Sequence, residues 1–74
     1  MTTDTKNPLN QPAVILLMQL VDAADNKYIA HANRIRVRAI PVTHGQAWSV
    51  RVDARCFLVY PPNDQQPFAD YEEV

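Results

Sequence analysis

The stretch Arg34-Ile35-Arg36-Val37-Arg38, with its echo Val50-Arg51-Val52-Asp53-Ala54-Arg55, decides how this chain folds. Charged and apolar residues alternate strictly in both runs, the period of a β-strand with one wet face and one buried face. Between them lies Thr43-His44-Gly45-Gln46, containing the only glycine of the chain, where a reversal needs the positive φ that glycine permits. The two runs are therefore expected to form an antiparallel hairpin.

Pro41 constrains the register. Proline has no N–H to give, so it must occupy a non-hydrogen-bonded position of the ladder. A four-residue loop from Thr43 to Gln46 meets this condition, with Pro41 opposite Trp48. That register sets Arg38 opposite Arg51, Arg36 opposite Asp53 and Arg34 opposite Arg55. All six side chains then share one face, with Asp53 accepting from the arginines around it. The reverse face collects Ile29, Ile35, Val37, Ala39, Trp48, Val50, Val52, Ala54, Cys56 and Leu58 as the core side.

Upstream, Ala13-Val14-Ile15-Leu16-Leu17-Met18-Gln19-Leu20-Val21 is the most apolar segment. It reads as a buried strand turning back at Asp25-Asn26. The competing reading is a helix capped by Asn10 with Pro12 in its first turn, since Ala, Leu, Met and Gln are good helix formers. The expected fold is thus all-β: an antiparallel sheet or meander of about three strands, near 13–22, 28–42 and 47–60. Strands this long are unusual, so they should bend or split. The α+β alternative packs one N-terminal helix on a long hairpin.

A chain of 74 residues makes one domain, and one this small buries only about 60% of its unfolded surface. Prolines gather at both ends (Pro8, Pro12, Pro61, Pro62, Pro67). The sequence therefore divides into a flexible arm over 1–11, a folded unit over 12–61 and an acidic, disordered tail over 62–74. Residues 31–60 carry five Arg against one Asp, and residues 61–74 carry Asp64, Asp70, Glu72 and Glu73 with no base.

The lone Cys56 excludes an intrachain disulfide and a cysteine-rich zinc site. His31, His44 and Cys56 lack metal-ligand spacing, and a single glycine cannot build a phosphate loop. A Cys56–His31 dyad lacks an oxyanion site and an orienting group. No metal, cofactor or enzymatic activity is expected. The apolar run is too short for a membrane helix and no signal peptide is read, which gives the cytoplasm as the expected compartment.

What remains is binding. Arg34, Arg36, Arg38, Arg51, Asp53 and Arg55 form the candidate surface, and Phe68 and Tyr71 are candidate anchors in the tail. The tail could also lie over the arginines and screen them. The expected function is that of a non-enzymatic protein modulating, as an inhibitor or adaptor, a larger protein or nucleoprotein assembly. The alternatives are a nucleic-acid-binding sheet module and a structural subunit, with homodimerisation allowed through an exposed sheet edge.

Overall fold

The computed structural model describes residues 8–43 and 45–74. A turn of 3-10 helix, Pro8–Asn10, leads into helix α1 (Pro12–Leu20) and helix α2 (Ala23–Ala30). Four strands follow: β1 (Ile35–Val42), β2 (Gly45–Val52), β3 (Arg55–Tyr60) and β4 (Asp70–Glu73). They form one antiparallel sheet in the order β1-β2-β3-β4. The first six residues of the expected N-terminal arm, together with Asn7, lie outside the described residues.

Of residues 13–22, expected as a strand, 13–20 are helical. Pro12 occupies the first turn, where its missing N–H costs nothing, and the Gln11 carbonyl accepts from Val14 and Ile15 N–H at 3.0 and 2.9 Å. Ala13, Val14 and Leu17 are buried on one helical stripe, whereas a strand would have buried alternate residues. The cap is Gln11 rather than Asn10, and it makes no side-chain cap bond.

Asp25-Asn26 is not a turn but lies inside α2. The operative signal is Asp22, whose carboxylate accepts the Asp25 N–H at 2.9 Å and caps that helix. Asn26 then donates from Nδ2 to the Met18 carbonyl at 2.7 Å, tying α2 back to α1. Helices of nine and eight residues are too short to stand alone in water, so their stability comes from packing on the sheet.

That packing uses one face of the sheet. Val14, Leu17 and Ile29 from the helices meet Val50, Val52, Phe57 and Val59 from the strands, all fully buried. Trp48, Ile35, Val37 and Tyr71 pack around this cluster half-buried. Among the described residues no polar or charged side chain is buried.

The β1–β2 register differs from the expected one by two residues. Pro41 faces Gln46, Trp48 faces Ala39, Arg36 faces Arg51 and Arg38 faces Ser49. Gly45, at φ +130°, stands just after the reversal and begins β2. The Asp53 N–H donates to the Arg34 carbonyl at 2.9 Å, which makes that pair a bonded one. Counting alternately along the ladder, Pro41 again falls at a non-bonded position. The proline condition was sound, but the shorter connection satisfies it too. A slip of two residues preserves which face each side chain occupies, so the arginines of β1 and Arg51 still share a face.

The expected strand over 47–60 splits into β2 and β3. Asp53 and Ala54 form a two-residue connection between the paired residues Val52 and Arg55. Asp53 takes a positive φ of 52°, the conformation required at the first central position of a tight hairpin turn and tolerated by Asp. Arg55 therefore lies on the face of Val52, opposite to that of Arg51. Phe57 and Val59 become core, and Cys56 and Leu58 move to the other face.

The acidic tail is not detached. The Asn63 side chain accepts from Gln65 and Gln66 N–H at 2.7 and 2.8 Å, turning the chain. Residues Asp70–Glu73 then pair with β3 as an edge strand, extended by a Val74 N–H to Cys56 carbonyl bond of 2.9 Å. Tyr71 places its ring 6.3 Å from that of Phe57. Its composition suggested disorder; a local turn, the inward-packed Tyr71 and the ladder with β3 hold it instead.

Candidate binding face

The six residues expected on one charged surface separate into three groups. Arg34, Arg36, Arg38 and Arg51 are exposed on the sheet face opposite the helices. Among the described residues none of the four has an ion-pair partner. Their guanidinium groups remain available to an external anion.

Asp53 stays beside them but its carboxylate is otherwise engaged. Its oxygens accept the backbone N–H of Arg34 at 2.9 Å and that of Asn33 at 3.2 Å. The expected bonds from Arg36 to Asp53 do not form, because Asp53 sits in the turn rather than in the strand. Its charge moderates the patch while its lone pairs hold the chain that enters β1.

Arg55 belongs to the covered face. Its Nε and Nη2 donate to the two Glu73 oxygens at 2.8 and 2.6 Å, and Nη1 donates to Asp25 Oδ1 at 3.1 Å. The guanidinium carbon lies 4.8 Å from the Tyr28 ring centre and 5.0 Å from that of Phe57. One side chain thus joins α2, β3 and β4 by charge and by cation–π attraction. These bonds hold the Arg55 guanidinium protonated more firmly than usual and draw the Glu73 carboxyl below its ordinary range.

Two adjoining recesses mark the open face. Arg34, Arg36, Arg51 and Asp53 line one of about 260 Å³. Arg36, Val37, Arg38, Ser49, Arg51 and Cys56 line another of about 330 Å³. Arg36 and Arg51, directly opposed across the ladder, form the wall common to both.

Ile40, Leu58 and Tyr60 extend this face away from the arginines, each half-buried. Tyr60 donates its hydroxyl to Glu72 at 3.0 Å, and burial together with this carboxylate pushes its pKa up. The open face thus runs from basic at β1 and β2, through apolar, to acidic at β4. The sequence reading missed Ile40, Leu58, Tyr60 and Cys56 here, and the signal that assigns the last three is the turn at Asp53-Ala54. Phe57, expected near the arginines, is fully buried on the other face.

Of the two expected anchors, Phe68 is exposed and Tyr71 packs inward. Among the described residues no ion pair joins the C-terminal segment to the open-face arginines; its Glu73 pairs with Arg55 instead. Cys56 is half-exposed, with its sulfur 3.8 Å from Ser49 Oγ, while His31 ends α2 on the covered side. Among the described residues no cluster of three His, Cys, Asp or Glu side chains is placed to hold a metal, and no helix is long and apolar enough to cross a membrane.

Comparison with known proteins found no matching family model, no matching curated protein and no matching solved structure.

Proposed function

We propose that this chain is a small α+β binding protein without catalytic activity, which modulates a larger assembly in the cytoplasm by docking its open sheet face on an acidic protein surface. The observation that carries this reading is the set of four exposed guanidiniums, Arg34, Arg36, Arg38 and Arg51, without ion-pair partners among the described residues. Guanidinium matches a carboxylate bidentately and is the cation favoured at the centre of protein interfaces. Ile40, Leu58 and Tyr60 supply apolar area beside the charge, the mixture that protein interfaces use.

A nucleic acid would meet the same arginines. Against it stand the acids Asp53, Asp70 and Glu72 around the face, with Tyr60, its aromatic residue among the described ones, lying toward β4 and bonded to Glu72. The test is affinity capture with crosslinking, comparing the parent with an Arg34→Ala, Arg36→Ala, Arg38→Ala, Arg51→Ala variant. Loss of the crosslinked protein in the variant is expected. Equal recovery contradicts the reading. Retention of nucleic acid instead, with a log-log salt slope of about −3.6 for four duplex phosphate contacts, replaces it with the nucleic-acid reading.

A further inference from the structure

The sheet has two edges, and they are treated differently. On one side β3 is completed by β4, the strand Asp70-Tyr71-Glu72-Glu73. Its Asp70 and Glu72 stand on the open face opposite Tyr60 and Leu58, and Tyr71 between them points to the core. On the open face this strand presents the acids Asp70 and Glu72, and inward it presents Tyr71 to the core and Glu73 to Arg55.

On the other side, among the described residues, β1 pairs with β2 alone. The bonded pair Arg34–Asp53 fixes the alternation, so Arg36, Arg38 and Ile40 spend their backbone groups on β2. Ile35, Val37 and Ala39 turn their N–H and C=O groups outward along about 14 Å of edge. Pro41 interrupts the donors only at the far end. Among the described residues Ile35–Ala39 carries no bulge and no lysine, and the charges along it are those of Arg36 and Arg38. Arg36 and Arg38 flank it on the open face, two residues apart and without ion-pair partners among the described residues.

We propose that β1 accepts an added strand from a protein partner, an extended segment with Asp or Glu at alternate positions and apolar residues between them. Backbone bonds to Ile35, Val37 and Ala39 supply the affinity. Carboxylates beside Arg36 and Arg38 select the sequence and register, and the intervening apolar residues extend the half-covered row of Ile35 and Val37. This rests on the binding reading of the arginine face and adds the partner's conformation and pattern to it. A second copy is a poorer occupant: two-fold pairing centred on Val37 sets Arg36 of one copy opposite Arg38 of the other, and like charges in opposition destabilise a sheet.

The test uses the full chain and the peptide acetyl-Val-Glu-Val-Glu-Val-Glu-Val-Glu-amide, with amide exchange and chemical shifts followed by NMR. Exchange at Ile35, Val37 and Ala39 is expected to slow on binding. Affinity should fall about tenfold in an Arg36→Ala, Arg38→Ala variant, the loss of two exposed charge pairs. A peptide N-methylated along its bonding edge should fail to bind the unaltered protein. Binding that shifts the arginines but leaves the three amides fast, and tolerates N-methylation, overturns strand addition while leaving the arginine-face reading intact. No binding of either peptide also overturns strand addition, and the arginine-face reading then stands or falls on its own capture experiment. Slow exchange at these amides without peptide, with a mass that rises with concentration in light scattering, overturns the proposal in favour of a second copy.

Discussion

Arg51 and Arg55 look equivalent in the sequence, yet they face opposite sides of the same sheet. Arg51 stands exposed without an ion-pair partner among the described residues; Arg55 is enclosed by two carboxylates and two aromatic rings. The cause is the two-residue turn at Asp53-Ala54, which exchanges the faces of every residue after it. One arginine is part of the architecture, and the other is exposed on the proposed binding face. Residue type and spacing could not distinguish the two roles, because the distinction depends on where a strand ends.

The comparison is broken most severely by damaging the covered face itself. Phe57→Ala should destabilise the fold by about 3–5 kcal/mol, since Phe57 is fully buried and also supports Arg55 and Tyr71; a shift in the urea midpoint measures it. In a chain this small that removes much of the stability. Asp53→Ala should cost about 1–2 kcal/mol, through its bonds to Asn33 and Arg34. Asp53→Asn, which tolerates the positive φ, should cost less by the same assay, with Asn33 and Arg34 amides exchanging faster in both.

Arg55→Ala acts locally on the same side. It should release β4, seen as faster amide exchange at Glu72 and Val74, while the β1–β2 amides keep their protection. Acid should reach the same state in the parent protein. The bonds from Arg55 hold the Glu73 carboxyl below the usual carboxylate range, so this contribution is complete above the ordinary glutamate pKa and is lost as pH falls through the lowered one. Exchange of the β4 amides, corrected for intrinsic rates, should rise across that acidic window in the parent and show no such step in Arg55→Ala.

The β1–β2 hairpin was readable because its alternation is strict and Pro41 and Gly45 restrict the turn. The two-residue error in register left the faces unchanged. The turn at Asp53-Ala54 was concealed because Asp53 continues the charge alternation and no glycine or asparagine marks the reversal. The expectation that a strand over 47–60 must bend or split pointed to it without locating it.

At the ends of the chain, local signals competed with composition. The apolar run from Ala13 suits a strand or a helix equally, and what decides for the helix is burial by Ile29 and the sheet, a long-range fact. Asp22 was the readable cap that a turn assignment at Asp25-Asn26 overlooked. In the C-terminal segment the acids suggested a solvated tail, whereas Asn63 turns the chain, Tyr71 packs inward and Arg55 holds Glu73. Arg34, Arg36, Arg38 and Arg51 share the open face, and Arg55 is bound into the covered one.

The division of the arginines is tested most directly by measuring stability and partner retention together in two variants. In Arg36→Ala, Arg38→Ala, Arg51→Ala, the urea midpoint should stay within about 0.5 kcal/mol of the parent while the crosslinked partner is lost. In Arg55→Ala the midpoint should fall, and the protein that remains folded should still capture the partner. A triple variant that is destabilised yet retains its partner, beside an Arg55→Ala protein that is stable and has lost it, would contradict the account.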